Sequence, residues 1–434
     1  MRDPFASPAV RARTRVAIAQ PTAPAHAARI AVTGIGLVTP IGSTLADFDA
    51  ALFTGRSAVK AHTLVIDDME PMTMAVAACD FDDTARSSSR LPLDRGTAMA
   101  LAAARDAAGQ AGLASAAIDG DRVGVYWGSG MAGSGSFDAT ARALYADSRR
   151  VRPTTVLTTM PNAAAAELGL LFGARGAALS YACACASASV AIGEAMRAIR
   201  GGWIDVAIVG GHEAQLTPGT LASWHAMRVT APPPADAPHT ACRPFSADRA
   251  GFALGEGAAA LVIESEAHAR ARGATATVML SGYATNCDSV HMTQPDPAGQ
   301  VRAMRAALHD AGLRPADIGY INAHGTATGA GDAAEATSIH ALFGSAVPVG
   351  STKAIHGHLL GGGGAVELAA SLRALAHATL PPTAHLQTPD AAFAAALDLV
   401  HGDARAAPGL RHVLSNSFAF GGTNAVLIAS RADG

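Results

Sequence analysis

Two cysteines one residue apart, Cys183 and Cys185, lie in a run of small side chains, LSYACACASASVAIG, from Leu179 to Gly193. Such a pair could ligate a metal, form a redox couple, set a nucleophile beside a bystander, or fill core space. The preceding AALSYAC reads as a buried strand, and SASVAIGEAMRAIRGG as a helix ending at a glycine pair. A thiol at that junction faces the amino end of a helix. Aligned amide dipoles there favour thiolate and bring a thiol pKa from about 8.5 toward about 7. No second cysteine pair with ligand spacing exists, which argues against a metal site.

Three further segments carry reactive side chains. INAHGTATGAGDAAE ends an apolar strand at His324, then gives Thr326, Thr328 and Asp332. A histidine at the carboxyl end of a strand, in a Gly/Thr loop, suits acid–base or hydrogen-bonding work, or a structural role. STKAIHGHLLGGGGAVE brings Lys353, His356, His358 and Glu367 together. HxH can bind metal, but a neighbouring lysine and four glycines do not complete an open metal site. The glycines imply close packing of a loop against a helix. SNSFAFGGTN places Phe418 and Phe420 just before two glycines, a layout for a loop whose amides face a ligand, with an aromatic as gate.

The elements that must hold these segments alternate. RVGVYWGSG, WIDVAIVGGHEA, GAAALVIESEAHARARG, IGYINAHGTAT and HVLSNSFAFGGTN are apolar runs, most of them followed by turns or helical stretches, the pattern of an α/β architecture. With 434 residues, half of them hydrophobic and 15% charged, the chain can bury a large core. A formal net charge of -3 gives no global attraction to nucleic acid or to an anionic membrane. The glycines of ARIAVTGIGLVTPIG do not have dinucleotide spacing, because position 39 is Thr39. No apolar run is long enough to span a membrane, and five scattered cysteines form no disulfide framework. Residues 1–27, rich in Ala, Arg and Pro, read as a disordered tail, and the chain reads as cytoplasmic. Only two of its 32 basic residues are lysines, Lys60 and Lys353, so Lys353 sits where a guanidinium does not replace it.

In order along the chain, VTGIGLVTPIG, CACASASVAIGEA, RPFSADRAGFALGEGAA, DSVHMTQP, NAHGTATGAGD, STKAIHGHLLG and NSFAFGGTN make it resemble the β-ketoacyl-acyl-carrier-protein synthases of the thiolase superfamily, elongating type II branch. The resemblance runs from about Ala28 to Ser430. It implies a five-layered αβαβα thiolase-like fold of two similar halves, 28–275 and 276–434. It also implies a Cys-His-His site. The nucleophile of the family precedes AIG by a fixed interval, which selects Cys185; Cys183 falls where threonine is usual and is read as a packing residue. The histidines are His324 and His358, with His356 at a more variable position. The amides of Cys185 and Phe420 form the oxyanion hole, Lys353 and Glu367 the supporting ion pair, and Thr326 and Thr328 hold the pantetheine arm. Phe418, Phe420 and Met131 are the expected substrate contacts. The implied reaction is a decarboxylative condensation of an acyl thioester with malonyl carrier, with no cofactor and no metal.

The implied partner is an acidic acyl carrier protein, for which SRRVR, with Arg149 and Arg150, is the candidate landing patch. A homodimer is the default; a heterodimer with a related subunit is the alternative, as is a role as non-catalytic chain-length partner. The latter relatives lack the cysteine. A thiolase would need a second catalytic cysteine after Cys287, and a starter-type synthase an asparagine for one histidine. Three positions depart from the family: Ala419 and Ala188 stand where glycine is usual, and Ser246 where aspartate is. They suggest a specialised acyl pocket, for unsaturated or aryl chains.

Overall fold

Runs of small and β-branched residues such as VAIVGGHE and GAAALVIES, apolar on both faces, have to be buried on both faces. They form interior strands of an eleven-stranded sheet in the computed structural model, which describes residues 28–66, 69–82, 91–113, 118–276 and 278–432. The expected tail, 1–27, lies outside those residues.

The strands of the first half are β1 (Ile30–Val38), β2 (Val123–Gly128), β3 (Ala178–Tyr181), β4 (Val206–Glu213) and β5 (Gly257–Ser265). Those of the second are β6 (Val278–Cys287), β7 (Tyr320–Asn322), β8 (Pro348–Gly350), β9 (Asp398–Leu399), β10 (His412–Phe418) and β11 (Thr423–Arg431). Across the sheet the order is β9-β8-β7-β10-β11-β6-β1-β5-β4-β2-β3. β3, β2 and β4 are mutually parallel, and β5 and β1 follow antiparallel. The second half repeats this: β8, β7 and β10 are parallel, and β11 and β6 follow antiparallel. The two sets join where Ile30–Val32 pairs antiparallel with Val278–Leu280.

The flanking helices are α1 (Arg95–Gln110), α2 (Ser134–Tyr145), α3 (Thr155–Thr159), α4 (Ser187–Arg200), α5 (Pro218–Ala226), α6 (Pro297–Ala311), α7 (Gly329–Phe343) and α8 (Leu360–His377). α1 covers β1 and β5 on the outside of the first half, and α6 covers β6 and β11 on the outside of the second. α4 and α8 contact each other and strands of both halves, so they form the middle layer. The result is the five-layered α/β arrangement the resemblance implies.

Small residues make that middle layer close. A Cβ on Gly364 of α8 would stand 2.1 Å from Ser189 Oγ and 3.1 Å from Ser189 N of α4, so the backbone of α8 lies directly against Ser189. The glycine run is therefore explained by packing, as its composition implied. One sequence reading is corrected. β3 is not a buried strand: Ala178, Leu179 and Ser180 are exposed, because β3 ends the sheet and pairs on one side only.

Candidate active site

The Cys185 thiol stands at the turn between β3 and α4. Ala184 adopts a left-handed backbone, φ 47°, costing a non-glycine residue about 1 kcal/mol or more. The Ser187 hydroxyl stabilises the turn, accepting from the Cys183 amide at 2.8 Å and donating to the Ala184 carbonyl at 2.6 Å. Cys185 is buried among Leu254, Leu360, Phe252 and their neighbours, whereas Cys183 packs half-buried against Ala186, Val190 and Ala425.

Opposite the thiol, His358 follows Gly357, whose φ of 74° turns the chain. Its amide donates to the Ala253 carbonyl at 2.7 Å and its carbonyl accepts from the Gly255 amide at 2.9 Å, so its backbone is clamped on both sides. Nε2 then lies 3.1 Å from Cys185 Sγ. Nδ1 has no hydrogen-bond partner and faces the first turn of α8, where a Cβ on Gly363 would be 3.7 Å away. The positive end of the helix favours a lone pair at Nδ1 and hence the proton on Nε2.

His324 extends from the end of β7. Its amide and that of Gly325 donate to the two carboxylate oxygens of buried Glu335, at 2.8 and 2.7 Å. Lys353, fully buried, reaches Nδ1 of His324 at 3.2 Å and pairs with Glu367. An ammonium donating to Nδ1 leaves the imidazole proton on Nε2. The two rings meet edge to face, centroids 5.4 Å apart.

Burial governs the charges. It pushes the Cys185 thiol up to about 12, with Lys353 and the Phe420 amide pulling down and Glu367 and Glu213 pushing up. The depression expected from the helix dipole is thus outweighed by desolvation. Burial, then the Lys353 charge, holds His324 and His358 well below the usual histidine range, so both are neutral at pH 7. Burial also pushes the Glu367 and Asp332 carboxyls up to about 7.

These groups open onto a cavity of about 270 Å³ lined by Cys185, His324, His358, Thr326, Thr328, Phe418 and Phe420. Lys353 and Glu367 stand behind it. Met131 is not on this wall: it is half exposed, with its amide directed at Glu213. Arg149 and Arg150 lie on the exposed stretch after α2. Sγ of Cys185 and one ring nitrogen from each histidine lie within 4.8 Å of one another, among the described residues the single set with metal-ligand spacing. A Cys-His-His set could hold zinc, but the nearby Lys353 charge opposes a cation.

Glu335, Phe252 and Glu213 stand in the motifs above without an assigned role, and Trp224 stands in none of them. Phe252 packs its edge against the His358 ring at 5.2 Å. Trp224 lines the cavity from α5. Glu213 accepts from the amides of Gly130 and Gly361, tying the loop after β2 to the start of α8. Each lies far from the reactive residues in sequence, and only Glu213, ending an apolar strand, carried a local signal.

Residues 27–269 match the family model of the beta-ketoacyl synthase N-terminal domain, and residues 277–387 that of the C-terminal domain. The chain is 37% identical over 410 residues to 3-oxoacyl-[acyl-carrier-protein] synthase 2 of Staphylococcus aureus (strain COL), covering 92% of this chain and 97% of that one. It superposes on a beta-ketoacyl synthase from Burkholderia phymatum STM815 with a TM-score of 0.85 and 35% identity, over 93% of this chain and all of the other. A ketosynthase bound to the hexaketide, in complex with its type II polyketide acyl-carrier protein, superposes with a TM-score of 0.86 at 27% identity, over 94% of this chain and 100% of that one.

Proposed function

The chain belongs to the beta-ketoacyl synthase family, and from that premise we propose that it is a 3-oxoacyl-[acyl-carrier-protein] synthase whose reaction runs through Cys185, His324 and His358. The observation that carries this reading is the convergence of one thiol and two neutral imidazoles in a single cavity, 3.1 Å separating Sγ from His358 Nε2.

In the first half-reaction Cys185 Sγ attacks the acyl carbonyl of a carrier thioester. The carbonyl–sulfur bond breaks, and the thiol proton ends on the departing carrier thiol. Negative charge on Sγ is met by the Nε2 proton of His358 and by the Phe420 amide, which bonds the sulfur. The thiol is neutral at rest, so charge develops on it only as the acyl group arrives. The amides of Cys185 and Phe420 then take the tetrahedral oxyanion, each such donor being worth roughly 3 kcal/mol.

In the second half-reaction a malonyl thioester loses carbon dioxide, and the electron pair left behind forms an enolate. Nε2 protons on His324 and His358 donate to the enolate oxygen. Because the rings are neutral, they stabilise that oxygen without delivering a full proton to carbon. The enolate carbon attacks the acyl-Cys185 carbonyl, the new carbon–carbon bond forms, and Sγ leaves as thiolate and takes one proton from solvent. Lys353 keeps the His324 proton on Nε2, and Glu367 balances its charge. Thr326 and Thr328 serve the pantetheine arm, and Arg149 with Arg150 the carrier protein. Reading the chain as a non-catalytic partner leaves the convergence of the three groups without a purpose.

We also propose a homodimer working in the cytoplasm. No helix among the described residues is long and apolar enough to cross a membrane. α2 and α3 bury no residue at all, and with the β3 edge they expose Phe137, Tyr145, Val156 and Leu179. A second copy is the occupant that fits, because an open parallel edge strand can pair across a twofold axis.

Intact-protein mass spectrometry after exposure to saturated, polyunsaturated and aryl acyl-carrier thioesters tests the chemistry. Wild type is expected to gain one acyl mass, Cys185→Ala none, and malonyl carrier to discharge it as a 3-ketoacyl product. Acylation that survives in Cys185→Ala would move the nucleophile to Cys183 or another thiol. A preference for plain saturated chains would refute the specialised pocket suggested by Ala188, Ser246 and Ala419.

A further inference from the structure

Phe420 has two tasks in the proposed reaction, on which this inference rests: its amide bonds the Cys185 sulfur, and its ring forms part of the cavity wall. The backbone beyond it is held to the opposite segment, Gly421 donating to the Met292 carbonyl and Asp288 to the Gly422 carbonyl, each at 2.8 Å. The ring itself stacks on the indole of Trp224, with centroids 6.4 Å apart and planes 24° from parallel.

That indole is itself held. Its Nε1–H donates to Gln215 Oε1 at 3.0 Å, and buried Gln215 also hydrogen-bonds Glu213, which ties the loop after β2 to α8. The indole also meets Phe252 edge to face at 5.7 Å, and Phe252 meets His358 in the same way. An aromatic chain therefore runs from the Phe420 ring through Trp224 to the second histidine. The helix that carries Trp224, α5, buries only Leu221, which joins the cluster around Cys185 and Phe252 while most of the helix stays at the surface.

The cavity is small for its task. About 270 Å³ lies at the lower edge of ligand-sized pockets, yet the thioester end of the arm and an acyl group must both fit. Cys185 and the histidines cannot yield without loss of the chemistry, and Phe252 is fully packed against His358. Met227 and Met292, also on the wall, are exposed and can move at its rim; beside the thiol the wall that can give way is the Phe420 ring, and the contact that resists its movement is the stack on Trp224. We propose that Trp224 is a specificity-determining residue: oriented by Gln215, it latches the Phe420 ring across the cavity, so that the length of acyl group accepted by Cys185 depends on the work of breaking this stack.

The experiment is single-turnover acylation of Cys185 with hexanoyl and tetradecanoyl carrier thioesters. It compares the full-length wild type with Trp224→Leu, which loses stack and hydrogen bond, and Trp224→Phe, which keeps an aromatic face. The tetradecanoyl-to-hexanoyl rate ratio is expected to rise roughly three- to ten-fold in Trp224→Leu, the range of one aromatic pair, and less in Trp224→Phe. If both rates fall together and the ratio stays at the wild-type value, Trp224 is a packing residue and the inference is overturned. Should Trp224→Leu fail to fold, Trp224→Phe and Gln215→Met carry the comparison: a raised ratio supports the latch, an unchanged one overturns it. A wild type that accepts neither donor brings down the proposed function and this inference together. A wild type that acylates normally while every variant keeps its ratio brings down this inference alone.

Discussion

The two halves share a strand order and put it to different uses. In the first half the parallel edge strand, β3, has no neighbour on its outer side and exposes Ala178, Leu179 and Ser180. Its counterpart in the second half, β8, is covered by β9, and Val349 is completely buried. The chemistry divides as unevenly. The turn after β3 supplies the thiol, whereas the segments after β7 and β8 supply both imidazoles and the ammonium. A repeated scaffold thus provides two similar strand-end positions. What distinguishes them is the side chains placed there and whether the sheet edge is left open.

The sharpest way to break this division of labour is to damage the second half and ask whether the first still works. Lys353→Met removes the donor that fixes the His324 tautomer and leaves Glu367 buried without its cation. Breaking such a pair typically costs 3 to about 5 kcal/mol, and condensation with malonyl carrier should fall by about a hundred-fold or more. Cys185 acylation should fall less, because His358 and the Phe420 amide stay in place, although the thiol loses the Lys353 charge that pulls its pKa down. Stopped-flow acylation beside steady-state condensation decides it; equal losses in both steps would show that Lys353 does not act through His324.

A somewhat smaller effect separates the two edges. Leu179→Asp puts a carboxylate on the open edge, doubled by symmetry in a dimer, and should weaken self-association by about a hundred-fold or less while the monomer stays folded. Val349→Asp, at the covered edge, should instead lower the melting temperature, because it buries an unpaired charge. Analytical ultracentrifugation with thermal melts distinguishes them. Dissociation in neither variant would remove the β3 face as an interface between copies.

How far these features were legible in the sequence follows from where their causes lie. The thiol, the two histidines and the lysine stand in segments where strand, turn and helix signals succeed one another within a few residues, so local pattern located the segments, and the family resemblance chose Cys185 over Cys183 and His358 over His356. The glycine run of α8 was legible for the same reason: composition alone implies backbone contact. β3 was misread because its apolar pattern is that of a buried strand, and whether a neighbour covers an edge is a property of the whole sheet. The thiol was misread electrostatically for a related reason. A helix start is visible in the sequence, but the full burial that outweighs its dipole is not. Glu335, Trp224 and Phe252 act across distances the chain closes only on folding. Met131, in a glycine-rich turn, lies off the cavity wall, in a turn whose amides are held by Glu213 together with the start of α8.

A smaller change tests the exposed stretch after α2. Reversing Arg149 and Arg150 to glutamate should raise KM for carrier-bound substrates roughly three- to ten-fold, less at high salt, and leave small pantetheine thioesters unaffected. An equal response of both substrate types would move the carrier surface elsewhere.

The smallest effect concerns pH, and it arises from opposed contributions. His324 and His358 are held below their unfolded value of 6.5, so the unfolded chain takes up protons there first. Stability is therefore lost as pH falls through 6.5. Glu367 and Asp332 have the opposite sign: each is raised to about 7 from an ordinary carboxyl value, so the folded chain binds their protons first, and stability is gained as pH falls below 7. The two pairs pull in opposite directions, and the slope of the whole protein also carries His212, His356 and His385, held low by burial, and Glu213 and Glu335, held high by it. Single substitutions should expose the parts. His324→Asn removes a contribution that weakens at acid pH, so its melting temperature should rise relative to wild type on acidification. Glu367→Gln removes one that strengthens, so its melting temperature should fall relative to wild type. The imidazole NMR shifts of both histidines should stay those of neutral rings between about pH 7 and about pH 5.5. Charged rings at pH 6 would mean that they cannot hold the enolate as uncharged donors, and the division between a thiol half and an imidazole half would lose its chemical basis.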